Sequence, residues 1–164
     1  MKSTGCAQNR SRLLIEKTPK VWKYVIVLWK SLMKIVTHGI DLVDTPRIEQ
    51  MMNRHGQRFL DRVFTAAEQD YANANRDSIE KLAGRFAAKE AVLKLLGTGW
   101  RGKIAWTDIE IVNNNFGRPK VTLSGEVKRI ADELSITDIS ISITHTANFA
   151  IASAVALADP DEQK

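Results

Sequence analysis

The 164 residues contain one cysteine, Cys6. That excludes an internal disulfide framework and a thiolate-built zinc site, and it suits a reducing, cytoplasmic compartment. No long apolar run is present. The apolar run in KTPKVWKYVIVLWK (17–30) is short and interrupted by Lys23, and no small-residue cleavage signal follows it. No Gly-Lys-Ser/Thr follows the glycine-rich stretch GTGWRG (97–102), which excludes a Walker loop. There is no internal repeat, no low-complexity tract and no second domain. GWRG (99–102) mimics the GxxG loop of KH-like RNA-binding domains. The strand patterns, however, lack the exposed aromatics on which bases stack.

What is present is one domain's worth of globular chain, with 44% apolar and 26% charged residues. A net charge of +5 suits an acidic partner: nucleic acid, anionic lipid, a phosphorylated small molecule or an acidic protein. KIVTHGIDLVD (34–44) reads as a strand. DTPRIEQMMNRHGQRFLDRVF (44–64) reads as one helix, with Thr45 as cap and Pro46 in its first turn. TAAE (65–68) is a capping box that starts a short helix. DSIEKLAGRFAAKEAVLKLLG (77–97) is a long helix, capped near Asp77 or Ser78 and stopped by Gly97. Then come two strands around NNNFGRP, a helix in SGEVKRIADEL, and two strands joined by HTAN. The order β-α-α-α-β-β-α-β-β makes an α+β domain.

The long helix is unusual. At about 100° per residue, Leu82, Phe86, Leu93 and Leu96 share one arc, and Lys89 falls inside it. The opposite face offers Ala87, Ala88 and Ala91 rather than charges, an invitation to close approach by another surface. An unpaired buried charge costs several kcal/mol, so the charges either pair with one another or await a charged ligand.

Asp41, in an apolar strand, and Glu90, in the alanine-rich helix, are candidate ligands of a hard divalent cation such as Mg²⁺. The alternative is buried ion pairs, for instance Glu90 with Lys94. Arg85, Lys89 and Lys94 suit an anion, as do the glycines of 97–102, although Gly97 serves equally as a helix stop. His145 and Thr146 sit in a strand connection, where the histidine is either a phosphate donor or surface decoration. Arg47, Arg54, Arg58 and Arg62 share an arc of about 80° on the first helix. They form either a solvated face or a dock for an acidic partner.

Four stretches taken together resemble one family: GIDLVDTPRIE (39–49), FTAAE (64–68), GRFAAKEAVLKLLGTG (84–99), and NNNFGRPKVTL (113–123) with SITHT (142–146). From about Lys34 to Leu157 the chain is similar to the holo-[acyl-carrier-protein] synthases, small trimeric 4′-phosphopantetheinyl transferases. The resemblance implies an α+β fold in which a small mixed or antiparallel sheet wraps around a long central helix. It implies transfer of 4′-phosphopantetheine from coenzyme A to a serine of an acidic apo-acyl carrier protein, releasing adenosine 3′,5′-bisphosphate, in fatty acid biosynthesis. Asp41 and Glu90 match the family's Mg²⁺ ligands, and Lys94 a lysine near the pyrophosphate. Arg85, His145 and Thr146 match the surroundings of the nucleotide phosphates, and Gly117, Arg118 and Pro119 the loop beside the adenine. Arg47 matches the arginine that meets the carrier protein, with Arg54 and Arg58 beside it. Glu68 is a candidate for orienting the Mg²⁺-activated water that takes the serine proton. A homotrimer with shared active sites follows from the same resemblance, with no nucleic acid or membrane partner. One position departs from the family's G-x-G-x-D: Thr37 stands where the first glycine belongs.

Residues 33–158 are therefore expected to form the transferase domain, and 159–164 a tail. Residues 1–32 have no counterpart in the family. They read as an extension that is disordered or lies ahead of a functional start at Met33. The alternative is an interfacial anchor carrying Trp22 and Trp29. Peptide mapping of the native N-terminus is expected to begin at Met33; a peptide from residues 3–30 would contradict it.

Overall fold

The computed structural model describes residues 34–158, with side chains from Thr37 onward. The expectations for residues 1–32 and 159–164 lie outside these. The elements are β1 (Lys34–Asp44), α1 (Thr45–His55), α2 (Gln57–Val63), α3 (Ala66–Asn73), α4 (Ser78–Leu95), a 3₁₀ turn (Trp106–Asp108), β2 (Ile109–Asn113), β3 (Pro119–Leu123), α5 (Gly125–Glu133), β4 (Ile136–His145) and β5 (Phe149–Ala158). β1, β5 and β4 form one antiparallel sheet in that order, and β2 and β3 a separate hairpin. The α+β architecture around a long helix is the expected one.

The sheet packs closely on α4 where the inner face of its central strand, β5, is all alanine. Ala150, Ala152, Ala154 and Ala156 alternate inward along β5 and are fully buried. Ala87, Ala88 and Ala91 on α4 are buried too, and α4 packs on β1 and β5. The alanine face of the helix is thus covered by the chain's own strands, not left open to another subunit. Leaving out large side chains on both surfaces lets the two backbones approach. Gly39 is the tightest point: a Cβ there would sit 2.0 Å from the Ala91 carbonyl oxygen and 2.7 Å from the Leu95 nitrogen. Thr37, the departure from the family pattern, pairs with Ala156 just past a register shift between Ile35 and Thr37.

The expected first helix is two helices. Gly56 adopts φ 54°, a left-handed conformation that suits glycine, and its N–H closes α1 on the Met52 carbonyl. α1 begins one residue earlier than expected: Asp44 is its N-cap, and Thr45 lies inside the helix with a buried hydroxyl that has no partner among the described residues. The capping box at α3 is as the sequence indicates. Glu68 N donates to Thr65 Oγ1, and Thr65 N donates to Glu68 Oε2. Among the described residues no helix is long and apolar enough to cross a membrane.

Gly39→Ala forces β1 off α4. It is expected to destabilise the fold by about 3 kcal/mol, an overpacking penalty at the upper end of the usual range, read as a lower denaturant midpoint. An unchanged midpoint would contradict the close approach.

Candidate active site

Strand alternation and the contact at Gly39 place the first half of the site. Gly39 and Val43 are buried, while Ile40 and Leu42 face outward at 57% exposure each. Asp41 shares the inward register and meets the flank of α4. Lys94 Nζ donates to Asp41 Oδ1 at 2.7 Å and to the Ile40 carbonyl at 3.2 Å. The ion pair is therefore Lys94 with Asp41, not Lys94 with Glu90. The Lys94 ammonium is pushed to higher pKa, first by that hydrogen bond. Glu90, one turn before Lys94, is half-buried and makes no ion pair among the described residues. Burial raises its pKa most and the Asp41 charge raises it further, while Lys94 and Arg47 pull it back.

Asp41 and Glu90 open onto one groove of about 890 Å³, whose walls include Arg47, Arg58 and Arg62. Its floor is aromatic. Phe86 and Trp106 stack at 5.0 Å, Trp106 and Trp100 at 5.8 Å, and the Arg62 guanidinium lies 5.6 Å from the Trp100 ring. The split at Gly56 removes the single helical wheel behind the arginine row. Arg47, Arg58 and Arg62 still reach the groove from two helices, and exposed Arg54 is not among its walls. The aromatic floor is absent from the sequence reading. Trp100 and Trp106 fall in a loop and a 3₁₀ turn, where no periodicity marks them.

The second half lies elsewhere on α4. Arg85 and Glu90 are five residues apart, hence about 140° apart around the helix. Arg85 is 3% exposed, with its guanidinium 3.8 Å from the Tyr71 ring centroid. It donates to the Lys81 carbonyl at 3.3 Å and to Asn113 Oδ1 at 3.1 Å, while its buried Nε has no partner among the described residues. It lines a cavity of about 170 Å³ with Lys81, His145, Gly117 and Pro119. His145 Nε2 lies 3.1 Å from Lys81 Nζ and Nδ1 2.8 Å from Glu80 Oε2. An ammonium can only donate, so Nε2 accepts and Nδ1 carries the proton. Two expected neighbours fall outside this cavity. Arg118 lines a shallow pocket against Ser140 and Ser142, and Thr146 Oγ1 accepts from Phe149 N in the β4–β5 turn. Lys81 was missed by the sequence reading, although it precedes Arg85 by one turn on the same stripe. Tyr71 and Asn113 carry no sequence signal.

Two expectations need correction. Lys89 does not wait for phosphate. Its ammonium is fully buried, 2.8 Å from Glu68 Oε2, and donates to the carbonyls of Trp106 and Ile109. Nor does Glu68 face the groove. It is fully buried, and its carboxylate accepts from Lys89, Thr65 N and Ile111 N. The pair ties α4 to α3 and β2, and nothing connects Glu68 to a substrate proton.

The profile of the 4′-phosphopantetheinyl transferase superfamily matches residues 37–154. The holo-[acyl-carrier-protein] synthase of Solibacter usitatus is 41% identical over 118 residues, which cover 72% of this chain and 94% of that one. The chain belongs to this family. The Helicobacter pylori synthase, crystallised with coenzyme A, has a TM-score of 0.65 at 36% identity, covering 73% of this chain and 98% of its own. The Bacillus anthracis synthase, in complex with CoA (3′,5′-ADP), has 0.63 at 33%, covering 78% and 100%. The family match spans both halves of the site, from the strand of Asp41 to the turn after His145.

Lys89→Met in this transferase leaves Glu68 buried and unpaired, and is expected to cost about 3–5 kcal/mol in denaturant unfolding. Lys94→Ala, at a pair whose lysine is 52% exposed, is expected to cost under about 1 kcal/mol. Equal losses would contradict the assignment of Lys89 to the interior and Lys94 to the surface.

Proposed function

We propose the following division of labour for the transfer of 4′-phosphopantetheine from coenzyme A to a serine of an apo-acyl carrier protein. The serine oxygen attacks the β-phosphorus of the donor and gives up its proton to solvent water. The bond to the nucleotide side breaks, and adenosine 3′,5′-bisphosphate leaves. Such a transfer needs positioning and charge neutralisation more than covalent help from the protein. The observation that carries the reading is the convergence of Asp41 and Glu90 on one groove, with Lys94 paired to Asp41.

The donor set fits Mg²⁺. Asp41 and Glu90 offer hard carboxylate oxygens and no nitrogen or sulfur ligand. Two protein ligands are what this ion takes when waters and phosphate oxygens supply the rest. Among the described residues no group of three or more ligating side chains occurs, so the site depends on the donor to complete it. When bound, Mg²⁺ neutralises pyrophosphate charge. Lys94 adds a cation from the same helix face, one turn further on. Arg85, with its unpartnered Nε, Lys81 and His145 form a second anion site for the nucleotide phosphates. Arg47, Arg58 and Arg62 present positive charge at the groove, where an acidic carrier protein docks and gains on-rate from the field.

The two anion sites lie on different sides of α4, so one donor reaches both when a second copy supplies one of them. The outward face of the sheet supports such an assembly: Ile40, Leu42 and Phe149 are 57%, 57% and 48% exposed. A homotrimer with sites shared between copies, working in cytoplasmic fatty acid biosynthesis, is the corresponding assembly.

Incubation with apo-carrier protein, coenzyme A and Mg²⁺ tests this reading by intact mass. The wild-type chain is expected to produce the phosphopantetheine adduct. Glu90→Gln is expected to abolish it and Asp41→Asn to weaken it severely; full turnover in either variant would overturn the metal assignment. Arg47→Glu is expected to raise KM for the carrier about tenfold, with KM for coenzyme A unchanged. An unaltered carrier KM would leave the arginines as a solvated face.

A further inference from the structure

We infer that nucleotide binding in the Arg85 cavity is coupled to uptake of a proton at His145, and that Glu80 is the positioning residue behind this coupling. The inference rests on the reading of that cavity as the nucleotide-phosphate site. It adds a pH dependence to the site and a role for Glu80, which otherwise has none.

His145 is held from both ring nitrogens. Nδ1–H donates to Glu80 Oε2 at 2.8 Å, and Nε2 accepts from Lys81 Nζ at 3.1 Å. Glu80 and Lys81 are neighbours in the first turn of α4, so one short piece of helix sets both the orientation and the tautomer of the ring. The side chains of His145 and Glu80 are 28% and 27% exposed, partly withdrawn from water. Among the described residues, the charged and titratable groups facing the ring are Glu80, Lys81 and Arg85 from α4 and Tyr71 from α3. The hairpin and β4 bring Asn113, Gly117, Pro119 and Ile143, and β5 places Ala150 opposite, none of which titrates. Glu80 is thus the single carboxylate of the cavity, and it stands behind the histidine.

This arrangement holds a neutral ring. A proton on Nε2 would point an N–H at an ammonium 3.1 Å away, donor against donor and like charge against like charge. A phosphate reverses both objections. Its oxygens only accept, so they oppose a lone pair on Nε2 and welcome an N–H there. Its negative charge draws Lys81 from the ring and offsets the two cations. Histidine changes its charge near neutral pH, so a modest change of surroundings is enough to add the proton. The proton comes from solvent and forms the Nε2–H bond. Glu80, already bonded to Nδ1–H, then faces an imidazolium through a charge-assisted hydrogen bond. Proton and nucleotide strengthen each other's binding by the same factor. Nucleotide affinity therefore falls as pH rises and the bound histidine loses its proton.

Calorimetric titration of the full-length protein with adenosine 3′,5′-bisphosphate, in buffers of different ionisation enthalpy, counts the protons bound per nucleotide. At about pH 7.5 a phosphate monoester is already mostly dianionic, its second pKa lying near 6, so uptake reports on the protein. The wild-type protein is expected to take up about one proton per nucleotide, and His145→Gln none. Glu80→Gln keeps an acceptor for Nδ1–H but not its charge. It is expected to lose most of the uptake and to bind the nucleotide about tenfold more weakly. No uptake by the wild-type protein, or equal uptake by His145→Gln, would overturn the proposal. Unchanged uptake and affinity in Glu80→Gln would overturn the role of Glu80, which a purely structural contact would also leave unmoved. Failure of the wild-type protein to bind adenosine 3′,5′-bisphosphate at all would instead overturn the reading of the cavity on which the proposal rests.

Discussion

The contact between β1 and α4 at Gly39 governs the rest of the molecule. Strand and helix meet with a glycine on one side and the Ala91 carbonyl on the other, and no side chain larger than hydrogen fits between them. Two residues along the strand, the same register that buries Gly39 sends Asp41 to the helix flank, beside the stripe formed by Glu90 and Lys94. The alanines of β5 and α4 extend this close packing over the length of the helix. A bulkier interface would hold the strand away and separate the two carboxylates. The local economy of side-chain volume is thus what brings the two carboxylates to one groove, with Lys94 paired to Asp41.

Helix α4 carries charge of two kinds, and burial sorts them. Lys89 and Arg85 both point into the protein, yet one is neutralised by Glu68 and two carbonyls while the other keeps an unpartnered donor. The first is an internal tie whose desolvation is offset by a close partner and hydrogen bonds. The second stands in a cavity with Lys81 and His145, the place proposed above for the nucleotide phosphates. Glu90 and Lys94 face the opposite flank, where Glu90 opens onto the groove and Lys94 pairs with Asp41. One helix thereby serves both proposed anion sites, which a single copy of the chain keeps apart.

Much of this was legible in the sequence. The capping box of α3, the ends of α4 and the hairpin follow from local patterns that tertiary packing did not override, while the meeting of Asp41 with the α4 flank came from the family resemblance. What was not legible has physical causes. A glycine inside a helical pattern reads the same whether it is tolerated or breaks the helix, so Gly56 hid the division between α1 and α2. A lysine on an apolar arc gives no clue to its partner, because Glu68 lies 21 positions away and its orientation depends on the fold. The alanine face was read as a surface for another copy, since nothing in the periodicity says that β5 supplies a matching row of alanines. Asn113, Tyr71 and the aromatic floor depend on long-range packing that no spacing encodes.

The central claim is that Asp41 and Glu90, brought together across the Gly39 contact, act as one divalent-cation site. Backbone amide spectra during titration with Mn²⁺, a paramagnetic substitute for Mg²⁺, test it most directly. The account predicts that signals flanking Asp41 and Glu90 broaden together, at the same metal concentration. Broadening at only one of the two segments, or confined to acidic residues elsewhere on the surface, would contradict it.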